Sequence, residues 1–190
     1  MMNIICFGDS NTYGYDPRSF FGEPYDEHNR WVDILAEKMN CKAINAGENG
    51  REIPRRQETI DAVNLMLEKQ KPVDMLIVML GSNDLLQGNP VEMITKRMES
   101  FLQQIKLDKS KILLISPPYL KLGEWVRNQS LIEASQRLSV EYGYLAQRIN
   151  IRHADAEKWD IGLTYDGVHF TEEGHSAFAT GLYNYLKEGE

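Results

Sequence analysis

The chain of 190 residues has few of the features that mark disulfide-rich or membrane proteins. It has two cysteines, Cys6 and Cys41, with no CxxC pattern and no histidine beside them at ligand spacing. We therefore expect two buried free thiols and no disulfide. The longest apolar runs fall well short of the ~20 residues that a membrane-spanning helix needs, and the chain does not open with a charged segment followed by an apolar one. These absences predict a cytoplasmic protein without a membrane span.

Positive charge is also scarce. Lysine and arginine number 21 against 28 aspartate and glutamate residues, which gives a formal net charge of −7 and a pI near 5.2. A protein that binds a nucleic-acid backbone needs a basic face, so this balance argues against a nucleic-acid partner. The sequence also lacks a glycine-rich segment followed by a Lys-Ser or Lys-Thr pair, which argues against a phosphate-binding loop.

Short apolar runs alternate with segments of helical periodicity along the whole chain. Five runs have the length of a strand, namely 3–7, 42–46, 73–80, 111–116 and 149–154. Most are almost continuously apolar, which is typical of a parallel sheet that is covered on both faces. The segments between them place apolar residues three and four positions apart, as helices do. The alternation predicts a single α/β domain over residues 1–190 with a five-stranded parallel sheet.

One long irregular segment interrupts this pattern. Residues 11–29 are rich in tyrosine, phenylalanine, proline, glycine and aspartate and show neither period. A segment of this kind inside a compact domain is usually functional. We expect it either to form a lid or wall of a binding site or to make a subunit contact, because Phe20, Phe21 and Tyr25 would otherwise be exposed. The second alternative predicts a homo-oligomer.

Polar residues follow four of the five predicted strands. Ser10 follows the first strand, Gly47 the second and Asn83 the third, and Asp166 and His169 come after the fifth. The carboxyl ends of parallel strands share one edge of the sheet, so we expect these residues to converge there. Open α/β sheets carry their ligand sites at this edge.

The residue types at this edge suggest nucleophilic catalysis. Ser10 would be the nucleophile, with His169 as its base and Asp166 to orient the imidazole. Candidate donors to an oxyanion are the backbone N–H groups of Ser10 and Gly47 and the side-chain amide of Asn83. Glycine at position 47 permits a positive φ that would bring its N–H close to a substrate. Each residue also has a structural explanation, as a turn, loop or helix-start residue.

Three other assignments stay open on the sequence alone. His175 competes with His169 as the base, although no aspartate lies three residues before it. Asp9, Asp84 and Asp166 could together bind the metal of a phosphohydrolase, but the serine and histidine would then have no shared role. A flavodoxin-like binding protein without catalytic activity is compatible with the same sheet.

Four short blocks, taken in order, resemble the signature blocks of the SGNH or GDSL family of serine esterases and lipases. They are Gly8-Asp9-Ser10, Gly47, Gly81-Ser82-Asn83-Asp84 and Asp166-Gly167-Val168-His169. Asn11 departs from the family's namesake motif, which has leucine at that position. The segment 8–15 looks closer to the arylesterase branch, which acts on small acyl esters. The GxSxG pattern of the α/β-hydrolase nucleophile elbow is absent from the sequence.

The resemblance implies a flavodoxin-like three-layer α/β/α sandwich and ester hydrolysis that needs no metal and no cofactor. It implies a catalytic triad of Ser10, His169 and Asp166, and an oxyanion hole formed by Ser10, Gly47 and Asn83. The expected substrate is a small-molecule ester with a short acyl group, and acetylated sugars are one candidate. A thioesterase or a lysophospholipase would use the same triad, and these are the alternative activities.

Overall fold

The alternating pattern of the sequence folds into one open parallel sheet. The structure is a computed structural model that describes residues 1–188, with strands β1 (Asn3–Gly8), β2 (Lys42–Gly47), β3 (Met75–Met79), β4 (Ile112–Ser116) and β5 (Arg152–Asp155). All neighbouring strands run parallel, in the order β2-β1-β3-β4-β5. This is the flavodoxin-like order, in which the strand sequence reverses between β1 and β3. The predicted fold class is confirmed.

Helices cover both faces of the sheet. Within residues 1–188 they are α1 (Ser10–Tyr13), α2 (Trp31–Met39), α3 (Gln57–Lys69), α4 (Ser82–Leu86), α5 (Val91–Gln104), α6 (Gln129–Ile149) and α7 (Glu172–Glu188). In this described part of the chain, no helix combines the length and the apolar character that crossing a membrane requires.

The alternation of side chains along each strand divides the core between the two faces. In β1, Ile5 and Phe7 pack against the layer of α3, α5 and α6, whereas Ile4 and Cys6 pack against the layer of α2 and α7. All four side chains are buried. Full burial of an isoleucine or phenylalanine side chain stabilises a fold by roughly 1.5–3 kcal/mol. Burial on both faces explains why the strands have almost continuously apolar sequences.

Two local predictions were wrong. The fifth strand begins at Arg152, because α6 continues through Ile149 and ends at Asn150, whose φ of 58° lies in the left-handed region. Both cysteines are free thiols as predicted, but only Cys6 is buried, whereas Cys41 is half-buried.

Residues 11–29 are more ordered than their composition suggests. Their first residues belong to α1, and a short antiparallel bridge pairs two later positions. Contrary to the expectation of exposure, Tyr25 is buried, and its hydroxyl donates to the carbonyl oxygen of Phe170 at 3.2 Å. Phe20 and Phe21 are 93% and 83% exposed. The role of this segment as a lid or a subunit contact stays a prediction.

Candidate active site

Ser10 lies where β1, an interior strand of the sheet, is followed by α1. Asp9 caps this helix, because its carboxylate accepts a hydrogen bond from the N–H of Asn11 at 3.0 Å. The turn requires glycine at position 8, since a Cβ there would overlap the side chain of Thr12. The serine therefore becomes the first residue of a short helix at the carboxyl edge of the sheet.

The structure brings Ser10, His169 and Asp166 together. Oγ of Ser10 lies 3.0 Å from Nε2 of His169, and Nδ1 of His169 lies 2.7 Å from Oδ2 of Asp166. The other carboxylate oxygen of Asp166 accepts hydrogen bonds from the N–H groups of Val168 at 2.8 Å and His169 at 2.9 Å. All three side chains are buried. The arrangement matches the geometry that an activated serine needs: a hydroxyl, a base within reach and a carboxylate on the far ring nitrogen.

Hydrogen bonding keeps the carboxyl of Asp166 ionised. Burial by itself raises its pKa, but hydrogen bonds from the His169 ring and from two backbone N–H groups outweigh burial and lower the pKa to about 2. An ionised carboxylate beside Nδ1 favours the tautomer that carries its proton there. Nε2 is then free to accept the proton of the Ser10 hydroxyl.

Asn83 and the backbone of Ser10 offer hydrogen-bond donors at the same edge of the sheet. Asn83 lies in α4 directly after β3, and its side-chain Nδ2 donates to the carbonyl oxygen of Arg51 at 3.0 Å. An amide nitrogen carries two hydrogens, so one remains for a second acceptor. The N–H of Ser10 belongs to the first turn of α1 and has no hydrogen-bond partner among residues 1–188.

The N–H of Gly47, a predicted donor of the oxyanion hole, already makes a hydrogen bond within the protein. The N–H of Lys42 donates to the carbonyl oxygen of Met2, just before β1, and the N–H of Glu48 donates to that of Gly8, the last residue of β1. Because backbone N–H groups alternate in direction along a strand, the N–H of Gly47 in edge strand β2 faces away from β1. It donates to Oδ1 of Asn45 at 2.9 Å. The φ of Gly47 is not positive, and glycine is required here because a Cβ would overlap the backbone of Tyr13. Its role as a donor stays a prediction.

Gly50 offers a backbone N–H that the sequence interpretation missed. Its φ is 74°, and among residues 1–188 its N–H has no hydrogen-bond partner. The next residue, Arg51, accepts the hydrogen bond from Asn83, so this turn lies beside the amide. Gly47 and Gly50 fall in one short turn-forming segment, and composition alone gives no means of telling which N–H is free.

The chain is also similar in sequence to a known enzyme family. The model of the GDSL-like lipase/acylhydrolase family matches residues 6–177. The chain belongs to this family. The curated proteins contain no significant match to it.

Solved structures resemble this GDSL acylhydrolase over its whole length. A proposed arylesterase from Agrobacterium tumefaciens str. C58 is 25% identical with a TM-score of 0.85, and the match covers 99% of both chains. An aryl esterase from M. smegmatis is 23% identical, with a TM-score of 0.84 and 99% of both chains covered. A carbohydrate acetylesterase family member from Sinorhizobium meliloti is 24% identical, with a TM-score of 0.84 and coverage of 99% and 98%. The GDSL acylhydrolase described here is a serine carboxylic-ester hydrolase.

Two aromatic side chains of the GDSL acylhydrolase, also missed in the sequence, flank the imidazole of His169. The ring centroid of Tyr15 lies 4.7 Å from that of His169, and the ring of Trp125 lies 4.9 Å from it. The N–H of Trp125 donates to the carbonyl oxygen of Asp166 at 3.1 Å, which fixes its loop against the site. Trp125 is 49% exposed and forms part of the outer wall. A single aromatic residue in a loop has no periodicity that would reveal such a role.

The competing base, His175, has different surroundings in the acylhydrolase. Its Nδ1 accepts a hydrogen bond from the N–H of Trp31 at 3.4 Å, and its ring packs against those of Tyr25 and Phe170. Burial lowers its pKa to about 3. The structure thus pairs Ser10 with His169 and gives His175 a place in the aromatic core.

The three aspartates of the metal alternative have separate partners. Asp9 caps α1, Asp166 contacts His169, and Asp84 accepts hydrogen bonds from the N–H of Ile53 and from Arg97 at 3.0 and 3.1 Å. Within residues 1–188, no three aspartate, glutamate, histidine or cysteine side chains are arranged to hold a metal ion together. The carboxylates therefore do not form the shared ligand set that the phosphohydrolase alternative needs.

Proposed function

We propose that this protein hydrolyses small or short-acyl carboxylic esters through a Ser10, His169 and Asp166 triad and an acyl-enzyme. The observation that carries this proposal is the pair of contacts at His169, 3.0 Å to Oγ of Ser10 and 2.7 Å to Oδ2 of Asp166. A serine hydroxyl is a weak nucleophile until a positioned base takes its proton. Both contacts are needed for that step, because the carboxylate fixes the tautomer that leaves Nε2 open.

The reaction follows from these roles. Oγ of Ser10 attacks the ester carbonyl carbon as Nε2 of His169 takes the hydroxyl proton, which forms a tetrahedral oxyanion. The oxyanion collapses, the bond to the alcohol oxygen breaks, and His169 returns the proton to the leaving alcohol. Water then attacks the acyl-enzyme with His169 as the base. Collapse of the second oxyanion releases the carboxylic acid and restores the hydroxyl of Ser10.

The oxyanion is stabilised in this mechanism by three N–H donors. The N–H of Ser10 and the second N–H of the Asn83 amide are two of them, and neither has another hydrogen-bond partner within residues 1–188. For the third, Gly47 was the expected donor, but its N–H already donates to Asn45. The unpartnered N–H of Gly50, in the turn that Asn83 contacts, fits this role better.

Aromatic rings beside the triad support the proposed substrate class. The ring centroids of Tyr15 and Trp125 lie 4.7 and 4.9 Å from that of His169. Aromatic rings also pack well on flat aryl groups and on the apolar faces of sugars. Named relatives with this fold are an aryl esterase and a carbohydrate acetylesterase. Acetyl esters of phenols or carbohydrates are therefore the proposed substrates.

A graded panel of esters tests the proposed substrate class. Nitrophenyl acetate, butyrate, octanoate and palmitate are compared by kcat/KM, with Ser10→Ala as the background and with and without a chelator. We expect kcat/KM to fall with each increase in acyl length and to be unaffected by the chelator. A preference for octanoate or longer esters would contradict the short-acyl proposal. The same measurements with an acetyl thioester and with a lysophospholipid test the two alternative activities, thioesterase and lysophospholipase.

A further inference from the structure

Asn11, the residue directly after Ser10, has both polar atoms of its side chain bonded across the fold. Its Nδ2 donates to the carbonyl oxygen of Val168 at 3.0 Å, and its Oδ1 accepts from the N–H of Phe170 at 3.0 Å. Val168 and Phe170 are the two chain neighbours of His169. The side chain of Asn11 is buried. One amide therefore holds the backbone on both sides of His169 from the position next to Ser10.

The backbone of Asn11 is itself fixed. Its N–H donates to Oδ1 of Asp9 at 3.0 Å, and its carbonyl oxygen accepts from Nε1 of Trp31 at 3.0 Å. Both contacts are buried, so they are shielded from competing water. A side chain anchored in this way holds its two partners at a defined distance from Ser10.

An amide supplies both the donor and the acceptor that the two side-chain contacts need. Leucine, the residue of the family's namesake motif, offers neither a donor nor an acceptor. Aspartate could accept from the N–H of Phe170, but it would place a carboxylate oxygen against the carbonyl oxygen of Val168. The departure from the namesake motif at position 11 thus coincides with a paired contact that leucine cannot make.

We propose that Asn11 is a positioning residue that sets the distance between Oγ of Ser10 and Nε2 of His169. The two catalytic side chains are 159 positions apart in the sequence, and the 3.0 Å contact between them depends on how two separate segments meet. Asn11 joins those segments directly. A displacement of about 1 Å between reacting groups can cost on the order of 10²-fold in rate. This inference rests on the proposed function.

Asn64 provides a matched control for Asn11. It is also buried, and it bridges two alternate backbone positions in the same way: Nδ2 donates to the carbonyl oxygen of Gln104 at 3.0 Å, and Oδ1 accepts from the N–H of Lys106 at 2.8 Å. It lies in α3, and none of its contacts involves the residues around Ser10. Asn64→Leu therefore removes an equivalent pair of hydrogen bonds without touching the triad.

The test compares kcat, KM and urea midpoints of Asn11→Leu and Asn64→Leu on nitrophenyl acetate. We expect Asn11→Leu to lower kcat by about 10- to 100-fold with KM within about threefold, whereas Asn64→Leu lowers the midpoint similarly and keeps kcat within about twofold. If Asn11→Leu fails to fold, Asn11→Asp replaces it in the comparison: it keeps the acceptor for the N–H of Phe170 and should also lower kcat. Equal kcat in the Asn11 and Asn64 variants would overturn the inference. Failure of the proposed function would look different, because the wild-type protein itself would lack Ser10-dependent hydrolysis.

Discussion

Within residues 1–188, two serines contact a histidine at the carboxyl edge of the sheet, and the two pairs differ in what surrounds them. Oγ of Ser10 lies 3.0 Å from Nε2 of His169, and Oγ of Ser116, the last residue of β4, lies 2.8 Å from Nε2 of His153. By distance alone the second pair is the better hydrogen bond. Contact between a serine and a histidine is therefore too weak a criterion for a catalytic site.

The two pairs differ in the partner of Nδ1, the histidine ring nitrogen that faces away from the serine. Nδ1 of His169 contacts Asp166, whereas among residues 1–188 no carboxylate hydrogen-bonds to His153. Burial lowers the pKa of His153, which makes it a weaker base. Ser116 is 0% exposed and Ser10 is 6% exposed, so both hydroxyls are buried. The orienting carboxylate on the far ring nitrogen, rather than the serine contact, distinguishes the pair at Ser10.

Removing each serine hydroxyl in turn should give the largest difference. We expect Ser10→Ala to lower kcat by about 10⁶-fold and to abolish labelling by a fluorophosphonate, because only an activated serine reacts at a useful rate. Ser116→Ala should keep both kcat and labelling. The measurements are steady-state hydrolysis of nitrophenyl acetate and mass spectrometry of the labelled peptide. A label that persists in Ser10→Ala would show that another residue is the nucleophile.

Replacing the carboxylate of Asp166 with an amide should leave His169 without an orienting carboxylate, as His153 is within residues 1–188. In Asp166→Asn the amide can favour the wrong tautomer of His169, so we expect a folded protein with kcat lower by about 10⁴-fold. Asp155→Asn is the matched control, since Asp155 lies on β5 two residues after His153. Its kcat should stay near that of the wild type. Near-normal turnover of Asp166→Asn alongside an inactive His169→Ala would mean that the histidine does not depend on this carboxylate.

The main features of the fold could be predicted from the sequence because burial on both faces leaves a plain apolar pattern. The meeting of Ser10, Asp166 and His169 was also predictable, since parallel strands bring their carboxyl ends to one edge. The donors were harder to predict. Whether the N–H of Gly47 or of Gly50 is free depends on strand pairing and on the local φ, and neither is readable from residue type. Aromatic walls such as Trp125 depend on how loops meet and were missed for the same reason.

Replacing Asn83 tests whether catalysis by Ser10 and His169 also needs a hydrogen-bond donor to the oxyanion. If its amide binds the oxyanion, Asn83→Ala should lower kcat by roughly 10²- to 10³-fold, or about 2.7–4 kcal/mol, with a much smaller change in KM. Asn89→Ala is the matched control, because Asn89 is half-buried like Asn83 and also donates one side-chain hydrogen bond to a backbone carbonyl, at 2.9 Å. Each variant should lose about 0.5–2 kcal/mol of stability, by analogy with lost helix caps. A lowered urea midpoint with normal kcat in both would remove Asn83 from the oxyanion hole.

Asp9 is a second buried carboxyl near His169. Its surroundings raise its pKa, whereas those of Asp166 lower the pKa of that residue. Burial raises the pKa of Asp9 to about 6, because the hydrogen bond from the N–H of Asn11 and the electrostatic attraction of His169 and Arg51 offset burial only in part. In the unfolded chain the pKa is about 3.9. The folded state therefore holds the proton more tightly, and the stability associated with it is complete below about pH 4 and is lost as the pH rises through about 6.

Replacing Asp9 should give the smallest of these effects, and it should depend on pH. In the wild type, the N–H of Asn11 donates to the carboxylate of Asp9 at 3.0 Å. The side chain of Asp9→Asn has no charge at any pH and keeps an oxygen that can accept this hydrogen bond. We expect the free energy of unfolding of Asp9→Asn, relative to the wild type, to increase by about 1–3 kcal/mol between pH 4 and pH 7. Urea unfolding of both proteins at four pH values measures the difference, in which other titrating groups cancel. A difference that stays constant with pH would mean that Asp9 is ionised in the folded protein at little cost, as Asp166 is.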